Sequence, residues 1–579
     1  MYSNKDNINI LTSLLVRHGV VRAVVCPGSR NAPIVHNFSE CPDMQCFPVT
    51  DERSAGFYAL GMALATGCPV AVCVTSGTAL LNLMPAVAEA FHLHVPLVVV
   101  SADRPQAWIG QLDGQTLPQA GALGCFVGCS VTLPEPLSGG PEPHRDEAGC
   151  WYCGRLVNEA MMAAGRSGGC PVHINVPVSE PLFEFSVSKL PDVHAVRLLE
   201  PCGMSDGQVR MVAGRLLEAA RPMVIVGRHA CCGGLADALM VVGRHAVVLR
   251  EPLCPGDGVV HFDEVLHAVG TNPDYMPDFI LYAGDTIVSK RLKRFLRSAS
   301  GAETWAVSAD GKIHDTFMNQ TVVMALPAEV VFGAVASYIA GGNDARILGE
   351  ETESAGVSKR RGMFIDRWRT ALSAAAGHAA TFEPRYSQMM AVRLFESMLG
   401  DVDYDCHVHY ANSSAVRLGN IYADHYIYVN RGVNGIEGSL STAAGFSVAN
   451  AGMTFCVIGD LSFFYDSNAL WNRCLRGNLR VLLLNNCGGG IFHQLPGLDS
   501  SPVRDSFIAA GHNASAHGIC DSHDIGYLSA RNAGELSRHM ETFLYSGTNR
   551  PLLFEVFTDA EEDAAVMREY YSLFKLCLT

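Results

Sequence analysis

Short apolar runs alternate with amphipathic helical patterns along most of the chain. In the first third, runs that fit buried parallel strands include residues 21–26, 70–75 and 97–101, and helical patterns separate them. This alternation predicts a doubly wound, mainly parallel sheet with its site at the carboxyl ends of the strands. The same alternation returns in residues 200–345 and again from residue 385.

The pattern divides the chain into three α/β domains. We expect an N-terminal domain over residues 1–185, a middle domain over 200–345 and a C-terminal domain over 385–579, with 346–384 as the connection. A length of 579 residues suits this division. A hydrophobic fraction of 49% and a charged fraction of 17% agree with many buried parallel strands.

Charge and cysteine usage narrow the class of protein. The formal net charge of −15 argues against nonspecific nucleic-acid binding, so an anionic ligand needs local arginines and lysines. The 20 cysteines lie scattered in core-like runs, which favours reduced thiols and a cytoplasmic location. We expect no signal peptide and no membrane span. The Cys150 and Cys153 pair has no second pair at zinc spacing, which disfavours a metal or redox role.

One stretch combines strands with metal-type donors. The apolar run 455–458 ends at Gly459 and Asp460, a crossover helix is predicted over 466–475, and the next strand over 481–484 ends at Asn485 and Asn486. Neighbouring parallel strands place Asp460 and Asn486 at one edge of the sheet. A carboxylate, an amide and a glycine carbonyl suit Mg²⁺, and a helix amino terminus suits an anion. Taken alone, either the Gly459–Asp460 pair or the Asn485–Asn486 pair is typical of an ordinary turn.

Other polar residues follow predicted strands or begin helices. Ser29 and Arg30 follow the first strand, and Glu52 begins a helix, where an acidic residue also has a purely structural explanation. Lys290 and Arg291 follow a strand of the middle domain. Taken alone, their pattern favours a solvated basic helix face.

Eight motifs occur in an order that resembles a known enzyme family. They are PGSRNAPI, TDERSAGF, SADRP, SKR, ANSSAVR, NRGVNGIEGSLSTAAG, GDLS and NNCGGGIF. The set resembles the thiamine-diphosphate (ThDP) enzymes, in particular the 2-succinyl-5-enolpyruvyl-6-hydroxy-3-cyclohexene-1-carboxylate synthase branch of menaquinone biosynthesis. It covers nearly the whole chain. Leu461 stands where many ThDP enzymes have glycine, and Gly114 stands where some relatives carry asparagine or proline.

The resemblance implies a set of site residues. Catalytic roles are implied for Ser29, Arg30, Glu52 and Gln115. Substrate contacts are implied for Arg104, Lys290, Arg291, Ser413, Arg417, Arg431, Ile491 and Phe492. Cofactor contacts are implied for Glu52, Ile436, Asp460, Leu461, Ser462 and Asn486, and metal contacts for Asp460, Asn486 and the Gly488 carbonyl.

The resemblance also implies how the site works. Glu52 contacts the aminopyrimidine ring of the cofactor, and Ile436 is the apolar wedge beneath it. The implied reaction decarboxylates 2-oxoglutarate and adds the succinyl carbanion to isochorismate. The implied metal is Mg²⁺ or Mn²⁺. Because the family builds each site from two subunits, the chain is expected to form a homodimer or homotetramer.

Three rival hypotheses remain open at this point. One is another ThDP enzyme, such as an acetohydroxyacid synthase or a 2-oxo acid decarboxylase. A second is a ThDP-fold binding subunit that has lost its chemistry. A third is a purely structural α/β protein, which leaves the strand-end arginines unexplained.

Overall fold

The computed structural model describes residues 1–136, 146–199, 203–230, 233–343, 352–495 and 497–578. In these ranges, parallel strands form three separate sheets of six, five and six strands. The predicted class, α/β with mainly parallel sheets, is confirmed. The adjacent cysteines Cys231 and Cys232, whose spacing suits neither a metal site nor a redox pair, lie outside the described residues.

The first sheet has the strand order β2-β1-β3-β4-β6-β5. Its strands are β1 (Arg22–Val25), β2 (Gln45–Pro48), β3 (Val70–Val74), β4 (Leu97–Asp103), β5 (Cys129–Thr132) and β6 (Val172–Pro177). Its helices are Asp6–Arg17, Ala32–Glu40, Glu52–Thr66, Thr78–Asn82, Met84–His92 and Glu147–Ala164. The five strand residues of β3 are all buried, as expected for a strand covered by helices on both faces.

The middle sheet has the order β11-β10-β9-β7-β8. Its strands are β7 (Pro222–Val226), β8 (Val247–Arg250), β9 (Phe279–Ala283), β10 (Glu303–Val307) and β11 (Gln320–Met324). Its helices are Asp206–Glu218, Leu235–Val242, Phe262–Val269, Lys290–Ser298 and Ala328–Tyr338. The long helix Thr352–Thr381 then leads to the third sheet, and its Trp368 is fully buried in the core of the middle unit.

The third sheet repeats the strand order of the first, as β13-β12-β14-β15-β17-β16. Its strands are β12 (Cys406–Tyr410), β13 (Ile427–Tyr428), β14 (Met453–Gly459), β15 (Leu479–Asn485), β16 (Gly526–Ala530) and β17 (Leu552–Phe557). Its helices are Gln388–Leu399, Ser414–Tyr422, Ser439–Ala449, Asp460–Tyr465, His517–Ser522, Ala533–Tyr545 and Ala560–Leu578. Gly459 pairs with Leu484, so β14 and β15 end at the same edge.

One local prediction is wrong. The crossover helix expected over 466–475 is replaced by the short helix Asp460–Tyr465, because Asp466 turns inward and its carboxylate accepts hydrogen bonds from Ser441 N and Oγ, both at 2.7 Å. Strand β12 ends at Tyr410. Asn412 there donates to the carbonyls of two residues in the loop after β13, and the helix Ser414–Tyr422 follows.

The first and third units are joined by a close helix crossing. Helix Glu52–Thr66 packs on helix Ser439–Ala449, and a Cβ atom built on Gly61 would lie 2.0 Å from the Thr442 carbonyl oxygen. A Cβ on Gly445 would lie 2.2 Å from the Tyr58 carbonyl oxygen. Hydrophobic residues of both units therefore form one continuous core around this crossing.

We expect Gly61→Ala to lower the free energy of unfolding by about 1–3 kcal/mol, because the added methyl group forces two backbones apart. The matched control is Gly333→Ala, which adds a methyl group to helix Ala328–Tyr338 with no heavy atom within 4 Å. The Gly333→Ala variant should have the same free energy of unfolding as the wild type or a higher one. Melting temperatures of the three proteins measure the difference. Equal melting temperatures for Gly61→Ala and the wild type would contradict the close crossing.

Candidate active site

The aligned ends of β14 and β15 bring Asp460 next to the turn that follows β15. Asp460 is buried, and its Oδ2 accepts hydrogen bonds from the N–H groups of Asn486 at 3.1 Å and Gly488 at 2.9 Å. Its Oδ1 accepts one from the N–H of Leu461 at 2.7 Å. Burial raises the pKa of the Asp460 carboxyl, and the Gly488 N–H opposes this shift. The predicted carboxylate and amide are therefore neighbours.

The side chain of Asn486 is held in one orientation. Its Nδ2 donates to Asp563 Oδ2 at 3.0 Å, and Asp563 also accepts from the N–H of Gln388 and the hydroxyl of Thr558, both at 2.8 Å. Burial raises the pKa of Asp563 to about 6. A Cβ on Gly490 would lie 2.3 Å from Asn486 Nδ2, so this close packing requires glycine. With the nitrogen bound to Asp563, the amide oxygen remains for another partner.

The donor chemistry at this turn fits Mg²⁺. A buried carboxylate, an amide oxygen and a backbone carbonyl are the hard oxygen ligands that this ion takes in proteins. Among the described residues, the partners of the buried Asp460 carboxylate are backbone N–H groups and the ring of His512, 3.4 Å away. A divalent cation would supply the missing positive charge.

Glu52 lies at the first residue of helix Glu52–Thr66. Asp51 caps this helix, because its side chain accepts from the N–H of Arg53 at 2.9 Å and of Ser54 at 3.4 Å. Glu52 Oε2 accepts from Asn82 Nδ2 at 3.4 Å. Thr50 to Arg53 line a pocket of about 430 Å³ with Asn82 and with Trp471 of the third unit. The Glu52 carboxyl group thus faces a cleft at the boundary between two units.

The loop that carries Arg431 and Ile436 is fastened from two sides. Asn412 Nδ2 donates to the carbonyl of Gly435 at 2.8 Å. From the first unit, the buried Glu89 accepts hydrogen bonds from the N–H groups of Gly432 and Val433, both at 2.7 Å. Ile436 itself remains 40% exposed. The loop backbone is fixed while its apolar tip is open.

Three of the predicted substrate arginines occupy one region between the middle and third units. Burial lowers the pKa of Arg431, as does the nearby charge of Arg417. Burial likewise lowers the pKa of Arg417, and Arg291 adds to that effect. Arg431 Nη1 donates to Asn412 Oδ1 at 3.2 Å. Their mutual repulsion makes this region a strong site for anionic groups.

Arg291 is held by acidic and aromatic partners. It forms an ion pair with Asp263, and its guanidinium lies 4.2 Å from the ring centroid of Tyr571. The Tyr571 hydroxyl also donates to Asp263, at 3.0 Å. Lys290, which precedes Arg291 at the start of helix Lys290–Ser298, is exposed. The two basic residues thus differ: one is fixed and the other faces solvent.

The first unit places its own basic residues at the ends of β1 and β4. Arg30 is buried and donates to the Val178 carbonyl at 2.9 Å. Arg104 donates to the Gly114 carbonyl at 3.1 Å, next to Gln115. Ser29 and Gln115 are exposed, and Gln115 has a φ of +57°. The Arg104 contact therefore ties the loop that carries Gln115 to the end of β4.

The remaining predicted residues lie around the turn after β15 and near Asn412. Ile491 and Phe492 are half-buried in a 3₁₀ turn that packs on helix Ala560–Leu578. Ser462 is buried, and Leu461 is half-buried. Ser413 has a φ of +71°, which is uncommon for a residue with a side chain and marks a sharp change of direction before helix Ser414–Tyr422.

A larger cavity than the one at Glu52 lies elsewhere. It is a groove of about 960 Å³ on the first unit, between helix Glu147–Ala164 and the segment 191–196. Cys150 lines it, and none of the predicted site residues does. Volume alone therefore does not locate the chemistry in this molecule, since the polar residues converge at the strand ends.

Comparison with known proteins agrees with this geometry. A family model described as the N-terminal TPP binding domain of thiamine pyrophosphate enzymes matches residues 8–122. The chain is 41% identical to the 2-succinyl-5-enolpyruvyl-6-hydroxy-3-cyclohexene-1-carboxylate synthase of Bacteroides thetaiotaomicron over 99% of this chain and 100% of that protein. The chain belongs to this synthase family. The Phocaeicola vulgatus synthase is 40% identical over 99% of both chains.

A solved structure supports the fold independently. A Mycobacterium smegmatis protein described as thiamin diphosphate-dependent aligns with a TM-score of 0.67 at 16% identity, covering 96% of this chain and 100% of that one. No described helix of the present family member is long and apolar enough to cross a bilayer.

Sequence reasoning on this synthase-family chain missed the acidic and aromatic residues that hold the site in place. Glu89, Glu251, Asp263 and Tyr571 contact the loops or the arginines of the site. A signal was present for Glu251, because it directly follows the β8 end. Glu89 lies in the otherwise apolar segment MPAVAEAFH, where a single buried carboxylate demands hydrogen-bond donors.

We expect Glu89→Gln to destabilise the protein by roughly 1–3 kcal/mol, because one of the two N–H groups bound to this buried side chain loses its acceptor. The melting temperature should fall by a few degrees. Glu383→Gln is the control: Glu383 makes an exposed ion pair with Arg393, and its loss should leave the melting temperature unchanged. A Glu89→Gln protein that melts like the wild type would show that the hydrogen bonds from Gly432 and Val433 to Glu89 do not contribute to stability.

Proposed function

We propose that the chain decarboxylates 2-oxoglutarate and adds the resulting four-carbon succinyl unit to isochorismate. The product is 2-succinyl-5-enolpyruvyl-6-hydroxy-3-cyclohexene-1-carboxylate, and carbon dioxide is released. The observation that carries the specific substrates is the half-buried group of Arg291, Arg417 and Arg431. Partial burial lowers the pKa values of Arg417 and Arg431, and the charge of a neighbouring arginine adds to the effect in each case. Both substrates carry several carboxylates, which guanidinium groups bind in a bidentate way.

ThDP supplies the electron sink for decarboxylation when it is bound. We propose that Asp460, Asn486 and the Gly488 carbonyl hold the Mg²⁺ that anchors its diphosphate, with Leu461 and Ser462 beside the diphosphate. Support comes from the adjacency of Asp460 to this turn and from the bond between Asn486 and Asp563. Ile436 and Glu52 would contact the rings of the cofactor, where Glu52 shares a proton with the aminopyrimidine.

We propose that a second copy of the chain completes each site. Within the chain, Glu52 bonds to Asn82, and its described hydrogen bonds do not include Asp460. We call the loop that carries Arg431 and Ile436 the cofactor loop. Aromatic or apolar side chains near this loop and near the pocket at Glu52 are exposed: Ile436 by 40%, Tyr465 by 49% and Trp471 by 49%. Exposed apolar groups of this kind mark an interaction surface.

The test mixes purified protein with ThDP, Mg²⁺, 2-oxoglutarate and isochorismate. Loss of isochorismate and release of carbon dioxide should both require all four components. Carbon dioxide release without isochorismate loss would indicate a different acceptor. Bound ThDP without any reaction of these substrates would reject the proposal in favour of another 2-oxo acid.

We expect Glu52→Gln to keep the fold and lose most of the turnover, because the amide cannot share a proton with the cofactor ring. Glu147→Gln is the matched control, since Glu147 is also the first residue of a helix. It should retain wild-type turnover. If both variants behave alike, Glu52 has only the structural role of an acidic residue in a first helical turn.

We expect Arg417→Lys to raise the KM for 2-oxoglutarate or isochorismate by about tenfold or more while ThDP affinity changes little. Lysine keeps the charge but loses the planar fork that matches a carboxylate. Arg393→Lys, in an exposed ion pair of the same unit, is the control. Steady-state kinetics and ThDP titration separate the two effects. Unchanged KM values would remove Arg417 from the site.

A further inference from the structure

Glu251 holds the segment that leads to the basic pair of the middle unit. It directly follows β8 at the carboxyl edge of the middle sheet and is 2% exposed. Its Oε2 accepts a hydrogen bond from Val288 N and its Oε1 one from Ser289 N, both at 2.8 Å. These two residues come immediately before Lys290 and Arg291 on the chain. The carboxylate thus fixes the backbone from which both basic side chains extend.

Among the described residues, four charged or titratable groups on four different segments lie within electrostatic reach of Glu251. Arg431 of the cofactor loop is anchored nearby, because its carbonyl accepts a hydrogen bond at 2.9 Å from the hydroxyl of Thr286, two residues before Val288. The charge of Arg431 lowers the pKa of Glu251, and that of Asp263 in helix Phe262–Val269 raises it. Lys293 of helix Lys290–Ser298 and Tyr282 of β9 are also within electrostatic reach. The charge of Arg431 therefore acts on a resident carboxylate, and in the proposed function it also binds an incoming one.

We propose that Glu251 is a positioning residue that couples substrate binding at Arg431 to the uptake of one proton. This proposal rests on the proposed function, which places a substrate carboxylate at Arg431. The reaction at Glu251 is simple: its carboxylate takes one proton from solvent and becomes a neutral acid, and no other bond changes. The two backbone N–H groups keep the side chain in place in either state.

The physical basis is that two carboxylates respond to the positive charge of one guanidinium. In the free enzyme, burial raises the pKa of Glu251 to about 7, and the two N–H groups and Arg431 limit that rise. A substrate carboxylate beside Arg431 offsets the positive charge that favours the Glu251 anion. The charged form of Glu251 is then less stable, so the pKa of Glu251 rises further and the carboxylate binds a proton. Substrate binding therefore weakens as the pH rises above the pKa that Glu251 has in the free enzyme.

The kinetic test is the pH dependence of the KM for 2-oxoglutarate between pH 6.5 and 8.5. In the wild type, KM should rise above neutral pH by up to about tenfold per unit, as expected for one coupled proton. In Glu251→Gln the KM should be independent of pH, whatever its absolute value. Glu264→Gln is the control: Glu264 is equally buried in the middle unit but faces the hydroxyl of Tyr570, at 2.8 Å. It should keep the wild-type slope.

A binding measurement separates this proposal from the proposed function. Glutarate has the two carboxylates without the reactive keto group, so it can be titrated into the ThDP- and Mg²⁺-loaded enzyme at pH 7.5 by calorimetry in buffers of different ionisation enthalpy. Proton uptake is expected for the wild type and Glu264→Gln and should vanish in Glu251→Gln. Absence of uptake in the wild type, or undiminished uptake in Glu251→Gln, would overturn the role of Glu251. Uptake by a wild-type enzyme that does not turn over 2-oxoglutarate would instead overturn the proposed reaction.

Discussion

The crossing of helices Glu52–Thr66 and Ser439–Ala449 is the contact on which the site geometry depends. Gly61 and Gly445 let two backbones meet with no side chain between them. One helix begins at Glu52, and the other begins directly after the loop that carries Ile436. A rigid crossing therefore fixes the start of each helix relative to the other, although the two segments are far apart in sequence.

Buried carboxylates extend this constraint to the loops. Glu89 accepts from two consecutive N–H groups of the cofactor loop, and Glu251 does the same for the segment before Lys290. Asp466 holds the start of helix Ser439–Ala449 in a similar way. Irregular backbone has few partners of its own, so a buried carboxylate that accepts two N–H groups gives a loop one defined conformation.

Local patterns were enough to predict the class of fold and the strand ends that carry Asp460 and Asn486, because strand periodicity and turn residues are properties of short segments. The helix expected over 466–475 was wrong because Asp466 binds Ser441, a tertiary contact that a single sequence does not display. The acidic partners of the arginines were missed for the same reason. Asp263 and Tyr571 meet across more than half of the chain, and no local spacing links them.

The last helix, Ala560–Leu578, contributes to the middle unit as well as to its own. Tyr570 and Tyr571 donate to Glu264 and Asp263, and Tyr571 packs on the guanidinium of Arg291. During synthesis these tyrosines leave the ribosome after every other part of the site has emerged. The nascent middle unit can form its sheet early, but Arg291 acquires its aromatic support only after residue 571 has emerged. The order of synthesis thus keeps the anion site unfinished until the helix that carries Tyr571 is available to fold.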